Sequence, residues 1–419
     1  MTHTPRLLIL LTCFLLCALA QRTGAAPPPY LTFVEEKDWT IHLEIELRAE
    51  SVLHFPNTSG NTPGYTTPSV SFRSADVIFP LIESTSSSTM LLDNFNFKTQ
   101  LMWESVVYDD QPALIPAPSP TGRFAHWRFD PRHDNSLYTG NRLRLILDIP
   151  VLSRETRLNE RAASSVTWPL QPWPADIAAA LEPQQFVESD APELHALLKS
   201  LLPNHAPRSL PPLLTAKTIL AQVVNRFQPN TMGYDFGSTG LFRGFDINGA
   251  RAAAIAFNEG DPKVSPFDIP CLYVALCRAA GLPARLVLGF DPVTSEKRRY
   301  PFFHVWAEIY LYDETAPPLK RGDPPGQGQW IPVDPIKQRE FSSRAPPINS
   351  PWLFFGTHEH LKDLIPLAHT FHPPTSILTK PVAAYGSSAL WGWRPEPSFP
   401  ILDQQLRAFA ARSAHRAPR

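Results

Sequence analysis

The sequence predicts an α+β protein in which an N-terminal antiparallel β-sandwich is followed by an α+β core. Three observations support this fold class. The first third of the chain alternates apolar and polar residues. Residues 189–290 then carry apolar stripes at helical spacing, and two more alternating segments follow them. Finally, 47 of the 419 residues are proline and 19 are glycine, which favours short extended segments over long helices.

We assign the β-sandwich to residues 28–160. The segment WTIHLEIELR at residues 39–48 has an aliphatic residue at every second position, as in a half-buried strand. Similar segments lie at residues 75–83, 97–108, 123–130 and 142–155, with turn-rich stretches such as NTSGNTPGYTTPS between them. Short strands divided by such turns are typical of a sandwich.

The first twenty residues have the features of a secretory signal peptide. A basic start, MTHTPR, precedes the apolar run LLILLTCFLLCALA, which ends in small residues at Ala18 and Ala20. This run is shorter than the about 20 apolar residues that a membrane-spanning helix needs. We therefore expect cleavage near Ala20 and a secreted or periplasmic protein without a transmembrane segment.

Charge and cysteine content limit the possible partners. The 38 basic and 39 acidic residues give a formal net charge of -1, so the sequence does not suggest nucleic acid as a partner. The mature chain would keep only Cys271 and Cys277, six positions apart on one predicted helix. That spacing is about 9 Å along the helix axis, beyond the reach of a disulfide. We interpret both cysteines as buried core residues.

Residues 161–188 are rich in proline and are predicted to be a linker. The core domain follows at residues 189–340. It opens with two predicted helices, at residues 189–202 and 214–227, the first of which has a clear leucine stripe. The segments with the clearest sequence motifs follow these helices.

That part begins with SPFDIPCLYVALCRAAGLPARLVLGF at residues 265–290. A helix is predicted to start here, because Ser265 can accept a hydrogen bond from the Asp268 amide and Pro266 suits the first helical position. Gly281 and Pro283 should end it. The segments FFHVWAEIYL at residues 302–311 and WIPVDP at residues 330–335 alternate like strands. We expect the helix to pack on this hairpin.

In these segments the chain resembles the transglutaminase-like superfamily, whose core is papain-like and whose site combines a cysteine, a histidine and an aspartate. RAAGLPAR at residues 278–285 is similar to the end of the family's nucleophile helix, HVWAEIYL would supply His304, and WIPVDP would supply Asp334. The resemblance covers roughly residues 190–335. It implies that His304 acts as general base and that Asp334 orients its ring.

The nucleophile position departs from the family pattern. At the family's usual spacing from Gly281 it falls on Pro266, which carries no thiol. Cys271 lies five residues later, turned by about 140° around the helix. Ser265 directly precedes Pro266, but its hydroxyl is expected to cap the helix. Cys271 and Ser265 are therefore the remaining nucleophile candidates.

Two functions stay open at this point. The chain is either a non-catalytic pseudoenzyme that binds a peptide or protein segment beside His304 and Asp334, or an acyl-transfer enzyme or peptidase that uses Cys271 or Ser265 with them. No cofactor is implied. A metal site formed by the histidines of the C-terminal region is a further alternative; these are His358, His360, His369 and His372. Residues 341–419 are predicted to be an extension that packs on the core, with a strand in residues 386–399 and a frayed basic end.

Overall fold

The computed structural model describes residues 30–49, 69–93, 97–108, 111–116, 122–130, 136–202, 206–230, 233–236, 242–314, 326–372, 380–381, 389–399 and 401–412. The predicted signal peptide lies outside the described residues. None of the helices in the described ranges is long and apolar enough to cross a membrane.

The described residues form a mixed α+β structure, as predicted. The strands are β1 (Leu31–Ala49), β2 (Val70–Phe72), β3 (Ser74–Ile82), β4 (Ser88–Met90), β5 (Lys98–Trp103), β6 (Val106–Tyr108), β7 (Ala113–Pro116), β8 (Gly122–Phe129), β9 (Tyr138–Gly140), β10 (Arg142–Leu158), β11 (Gln228–Pro229), β12 (Tyr234–Phe236), β13 (Phe242–Phe245), β14 (Lys263–Val264), β15 (Ala284–Phe290), β16 (Phe303–Asp313), β17 (Gln327–Val333), β18 (Ile365–Ala368), β19 (Lys380–Pro381), β20 (Gly392–Glu396) and β21 (Ile401–Arg412). The helices are α1 (Glu160–Ser164), α2 (Ala175–Ala178), α3 (Pro192–Leu201), α4 (Pro212–Arg226), α5 (Ala250–Asn258), α6 (Asp268–Ala279), α7 (Pro292–Arg298) and α8 (Pro335–Phe341), and short 3₁₀ helices lie at Ala179–Leu181 and Glu359–Asp363.

Two antiparallel sheets hold most strands of residues 30–158 and are called the N-terminal half below, although β12, β13 and β19 to β21 also join them. The first has the order β12-β13-β21-β1-β10-β5-β6, and the second has the order β19-β20-β3-β8-β7. Their facing sides meet in an aromatic cluster, in which Trp103 of the first sheet stacks on Trp393 of the second at a ring distance of 6.1 Å. The alternation that predicted β1 is real, because Ile41, Leu43 and Ile45 are buried while the residues between them are partly exposed.

The last two C-terminal strands lie elsewhere than we predicted. We expected residues 341–419 to pack on the core, with a frayed end; β18 does pair with β15 of the core, but β20 pairs with β3 and β21 pairs with β1. The long strand β1 has β10 on one edge only, so its other edge needs a partner for its backbone groups, and β21 supplies it. Part of the basic end, residues 406–412, therefore belongs to a strand, whereas residues 413–419 lie outside the described residues.

The core contains a further antiparallel sheet with the order β17-β16-β15-β18, on which α6 packs. Residues 268–278 of α6 are all buried, in agreement with a helix that is apolar around nearly its whole circumference. The predicted linker contains α1 and α2, and it is tied to α6 because the Arg278 guanidinium donates to the Glu182 carbonyl at 2.6 Å.

A buried carboxylate connects the core with the N-terminal half. Glu308 of β16 is fully buried, and it accepts hydrogen bonds from the Arg285 guanidinium at 2.7 Å and from the Ser86 amide at 2.7 Å. Ser86 lies between β3 and β4 of the N-terminal half. Because a buried charge is tolerated only when it is paired, this contact ties the two halves together closely.

Candidate functional site

The structure brings His304 and Asp334 together. His304 is the second residue of β16 and lies opposite Gly289 of β15. Asp334 follows β17 and caps α8, where its Oδ1 accepts the Lys337 amide at 2.9 Å. The other carboxylate oxygen, Oδ2, is 2.5 Å from Nε2 of His304. The cap and the histidine bond use different oxygens, so the helix start fixes the orientation of the carboxylate.

A second histidine, which we did not predict to be here, shares the same oxygen. Nε2 of His358 lies 3.0 Å from Oδ2 of Asp334, and the His358 side chain is completely buried. From the sequence, His358 is instead one of the four histidines of the alternative metal site in the C-terminal region. The apolar run LFFG just before it is the only local sign that this histidine is in the interior.

The electrostatics favour an ionised Asp334 and a neutral His358. Burial alone would raise the pKa of Asp334, but the bonds from His304 and His358 hold it well below its usual range. Burial lowers the pKa of His358, and the bond to Asp334 only partly opposes this. A carboxylate accepts and cannot donate, so a neutral ring that contacts it through Nε2 carries its hydrogen there.

The nucleophile loop is organised differently from our prediction. We placed the start of the helix at Ser265 and Pro266, but α6 begins at Asp268. The Asp268 amide donates to the carbonyl of Ser265 at 2.9 Å and not to its hydroxyl. In addition, the Asp268 carboxylate accepts the amides of Ser265 at 3.1 Å and Gly249 at 2.7 Å. These bonds draw residues 265–267 into a turn ahead of the helix, which explains the later start.

Ser265 is fully buried, and its hydroxyl is occupied. It donates to the carbonyl of Asp246 at 2.7 Å and accepts the Phe267 amide at 3.3 Å. A nucleophilic serine needs a hydrogen bond to a base that can take its proton. The Ser265 hydroxyl instead donates its hydrogen bond to a backbone carbonyl, which cannot act as that base. Pro266, at the expected nucleophile position, is partly exposed.

The two cysteines are free thiols in the core. Both are buried, and burial raises the pKa of Cys277 to about 12 and that of Cys271 well above its ordinary value. The charged groups that act on Cys271 are Asp268, Glu188 and Arg278. Because the thiolate is the nucleophilic form, neither thiol has the environment of a reactive cysteine.

Tyr234 of β12 lies between the nucleophile loop and the histidine. Its ring packs edge-to-face on Phe267 at 5.1 Å. Its hydroxyl donates to the carbonyl of Phe303 and accepts the amide of the same residue at 3.0 Å. Burial raises the pKa of Tyr234, so this hydroxyl stays protonated. Sequence reasoning did not identify this residue, because its contacts depend on the way β12 folds back onto β16.

The four histidines proposed as a metal site do not converge on one point, and each makes its own contacts. His358 contacts Asp334, the Nδ1 of His369 donates to the Leu286 carbonyl at 2.7 Å, and His360 is exposed. His372 stacks on a phenylalanine ring. Within the described ranges, no three His, Cys, Asp or Glu side chains are grouped so that they could hold a metal ion.

Comparison with known protein families finds a match over part of the chain. Residues 255–335 match the family model of the transglutaminase-like superfamily, and this segment includes α6, His304 and Asp334. The chain contains a transglutaminase-like core. The resemblance drawn from RAAGLPAR, HVWAEIYL and WIPVDP is thus confirmed. No curated protein matches the chain.

Two solved structures are similar to the chain. One is a candidate cysteine protease from Cytophaga hutchinsonii, with 15% identity and a TM-score of 0.48, and the match covers 92% of this chain and 94% of that one. The other is the periplasmic domain of TgpA from Pseudomonas aeruginosa, with 16% identity and a TM-score of 0.27; here the match covers 75% of this chain and 94% of that one.

Proposed function

We propose that this chain is an exported transglutaminase-like protein that binds a peptide or protein segment without cleaving or cross-linking it. One observation carries this proposal: no competent nucleophile faces the His304–Asp334 pair among the described residues. Pro266 occupies the expected position, the hydroxyl of Ser265 is bonded to Asp246, and Cys271 is buried. A pair that has a base and an orienting carboxylate but no nucleophile cannot form an acyl intermediate.

The strand that carries His304 is suited to an extended ligand. The strand β17 pairs with β16 only from Ala307 onward, so β17 does not cover the edge of β16 at Phe303 and His304. The outward amide and carbonyl of Phe303 are both bonded to a single hydroxyl, that of Tyr234. An extended peptide offers the same pair of a donor and an acceptor, so it can replace the Tyr234 hydroxyl at Phe303 and add to this strand edge.

The His304 ring adds a specific acceptor next to this edge. Because Nε2 faces Asp334, Nδ1 is left for other contacts, and it has no hydrogen-bond partner among the described residues. A neutral ring that donates through Nε2 presents a lone pair at Nδ1. That lone pair can accept an amide hydrogen of the bound segment.

The second candidate function is acyl transfer or peptide hydrolysis through Cys271 or Ser265. One observation favours it: Asp334 and His304 make the contact that an active family member needs, at 2.5 Å. Thiol labelling separates the two functions. For the binding protein we expect Cys271 and Cys277 to resist iodoacetamide at pH 7 until the chain is unfolded. Labelling of Cys271 in the native state would instead support the enzyme.

Activity and binding assays complete the test. We expect no incorporation of a dansylated amine into casein and no peptide hydrolysis, by either the wild type or the His304→Ala variant. Activity that the wild type has and His304→Ala lacks would overturn the proposal. For binding, a phage-displayed library of random linear peptides is selected on the wild type. The enriched peptides should bind His304→Ala at least about tenfold more weakly, as expected when a ligand's hydrogen bond is lost.

Export is tested separately. We expect the protein isolated from the extracellular or periplasmic fraction to begin close to Ala20. An N-terminus at Met1 in the cytoplasmic fraction would contradict the export part of the proposal.

A further inference from the structure

We propose that His358 is a positioning residue for the His304–Asp334 pair, and that the N-terminal sheet takes part in the site by holding His358 in place. The inference holds for either function considered above, because both need the His304 ring in one orientation. It concerns how Asp334 is held and does not require a nucleophile.

The Asp334 carboxylate is surrounded by three donors. The Lys337 amide bonds to Oδ1 at 2.9 Å, while His304 and His358 approach Oδ2 at 2.5 Å and 3.0 Å. With both oxygens engaged, the carboxylate cannot rotate without breaking at least one of these bonds. The His304 ring is held in turn, since its Nε2 must keep a hydrogen directed at Oδ2.

Packing alone does not explain a histidine at position 358. The side chain is completely buried and lies edge-to-face against Phe354 at 5.0 Å, an environment that an apolar residue would also suit. Its Nδ1 is buried and has no hydrogen-bond partner among the described residues, which is unfavourable for a polar atom. The contact that offsets this cost is the hydrogen bond from Nε2 to Asp334.

A tight turn at residues 354–358 brings His358 to the carboxylate. On the core side, the Asp334 amide donates to the Phe354 carbonyl at 2.8 Å, and the Gly356 amide donates to the Pro332 carbonyl at 2.7 Å. The turn therefore follows the end of β17 closely. Phe354 and Gly356 both have positive φ values, 62° and 69°, which make the turn narrow.

On its other side the turn is bonded to β10 of the N-terminal sheet. The His358 amide donates to the Thr156 carbonyl at 2.9 Å, and the Thr156 amide donates to the His358 carbonyl at 3.5 Å. The Leu158 amide also donates to the hydroxyl of Thr357 at 3.0 Å. A Cβ atom on Gly356 would lie 2.7 Å from Leu158, so no side chain fits between the turn and β10. A series of hydrogen bonds thus connects β10 with His304 through His358 and Asp334.

The experiment compares His358→Gln with His358→Leu in the full chain. Glutamine keeps a side-chain N–H donor, whereas leucine has a similar volume and no donor. Nitrogen-15 ring correlations give the tautomer of His304, and solvent exchange of its Nε2 hydrogen reports the bond to Asp334. We expect His358→Gln to keep the Nε2–H tautomer and His358→Leu to exchange at least about tenfold faster, as expected when a hydrogen bond to a charged group is lost.

Backbone amides of β16 serve as the internal reference, because a general loss of stability would speed their exchange as well. If His358→Leu leaves the tautomer and the relative exchange rate of His304 as in the wild type, then His358 is only a core residue and the inference is wrong. The same conclusion follows if the glutamine and leucine variants change His304 equally.

The role of the N-terminal sheet is tested with Gly356→Ala. The added methyl group must displace the turn from Leu158, so we expect faster exchange at His304, as in His358→Leu. Gly260→Ala is the matched control, since Gly260 also has a positive φ, 87°, but nothing lies within 4 Å of its added Cβ. Equal behaviour of the two alanine variants at His304 would overturn the link to β10.

Discussion

The candidate site has two parts, called corners below, which differ in the structural contacts that their side chains make. The first comprises His304, Asp334 and His358, and its carboxylate also caps α8. The second is the loop at Ser265 and Pro266, where the side chain at the nucleophile position makes no such structural contact. The comparison teaches that Asp334, the partner of His304, also holds a helix and a turn in place, so the presence of the pair alone does not establish catalysis.

The largest effect should come from Asp334→Ala. Removing the carboxylate takes away the α8 cap and the hydrogen-bond partner of the buried His358 ring. We expect a loss of about 3–5 kcal/mol in the free energy of unfolding, as when one member of a buried pair is removed. Urea denaturation measures it. Asp334→Asn, which can still cap the helix, should lose less; an equal loss would mean that the corner is not held by its hydrogen bonds.

A change in pH is expected to have a smaller effect on the free energy of unfolding. Burial lowers the pKa values of His358 and His369, so in the unfolded chain these groups bind protons more readily than in the folded one. Their contribution to stability is complete above the unfolded pKa of about 6.5 and is lost as the pH falls below it. The slope is at most about 1.4 kcal/mol per pH unit for each histidine.

His369→Gln should therefore flatten the decline in unfolding free energy between pH 7 and pH 5. The control is His360→Gln, since His360 is exposed. The explanation through buried histidines is contradicted if His360→Gln removes as much of the slope as His369→Gln does.

Pro266→Cys tests whether only the nucleophile is missing. A thiol at this position precedes the N-terminus of α6, which favours the thiolate. We expect it to react with iodoacetamide at pH 7 about tenfold faster than an exposed thiol introduced by Ser343→Cys, because an ordinary thiol near pKa 8.5 is mostly protonated. The excess should disappear with His304→Ala. If the thiol of Pro266→Cys reacts with iodoacetamide no faster than the thiol of Ser343→Cys, the two corners are not aligned for catalysis.

The smallest effect concerns Tyr234, which contacts both corners through Phe267 and Phe303. Tyr234→Phe removes only the hydroxyl, so we expect a loss of about 1 kcal/mol and faster hydrogen exchange at the Phe303 amide. The control is Tyr300→Phe, whose hydroxyl accepts from the exposed Arg298. A similar loss in the control would mean that Tyr234 does not join the corners.

Local patterns predicted much of the fold and half of the site. Alternation indicated β1 and β10, and the motifs around His304 and Asp334 indicated the pair that the structure brings together. What failed depends on partners far away in the chain. The hydroxyl of Ser265 bonds to Asp246 and not to the helix that follows it, and His358 lies beside Asp334 in a turn whose backbone bonds to Pro332, Asp334 and the distant Thr156.

The placement of β20 and β21 failed for the same reason. Periodicity shows that a segment can be a strand, but it does not show which edge the strand will join. The choice of β1 for β21 and of β3 for β20 depends on which edges the rest of the chain leaves open.

The pairing of β21 with β1 also has a consequence for biosynthesis. The first described strand cannot obtain this neighbour until residues 401–412 have left the ribosome. A product that stops before Ile401 would expose the edge of β1 that β21 covers, from Trp39 to Ala49, to other copies, and it should polymerise where the chain that includes β21 stays dispersed.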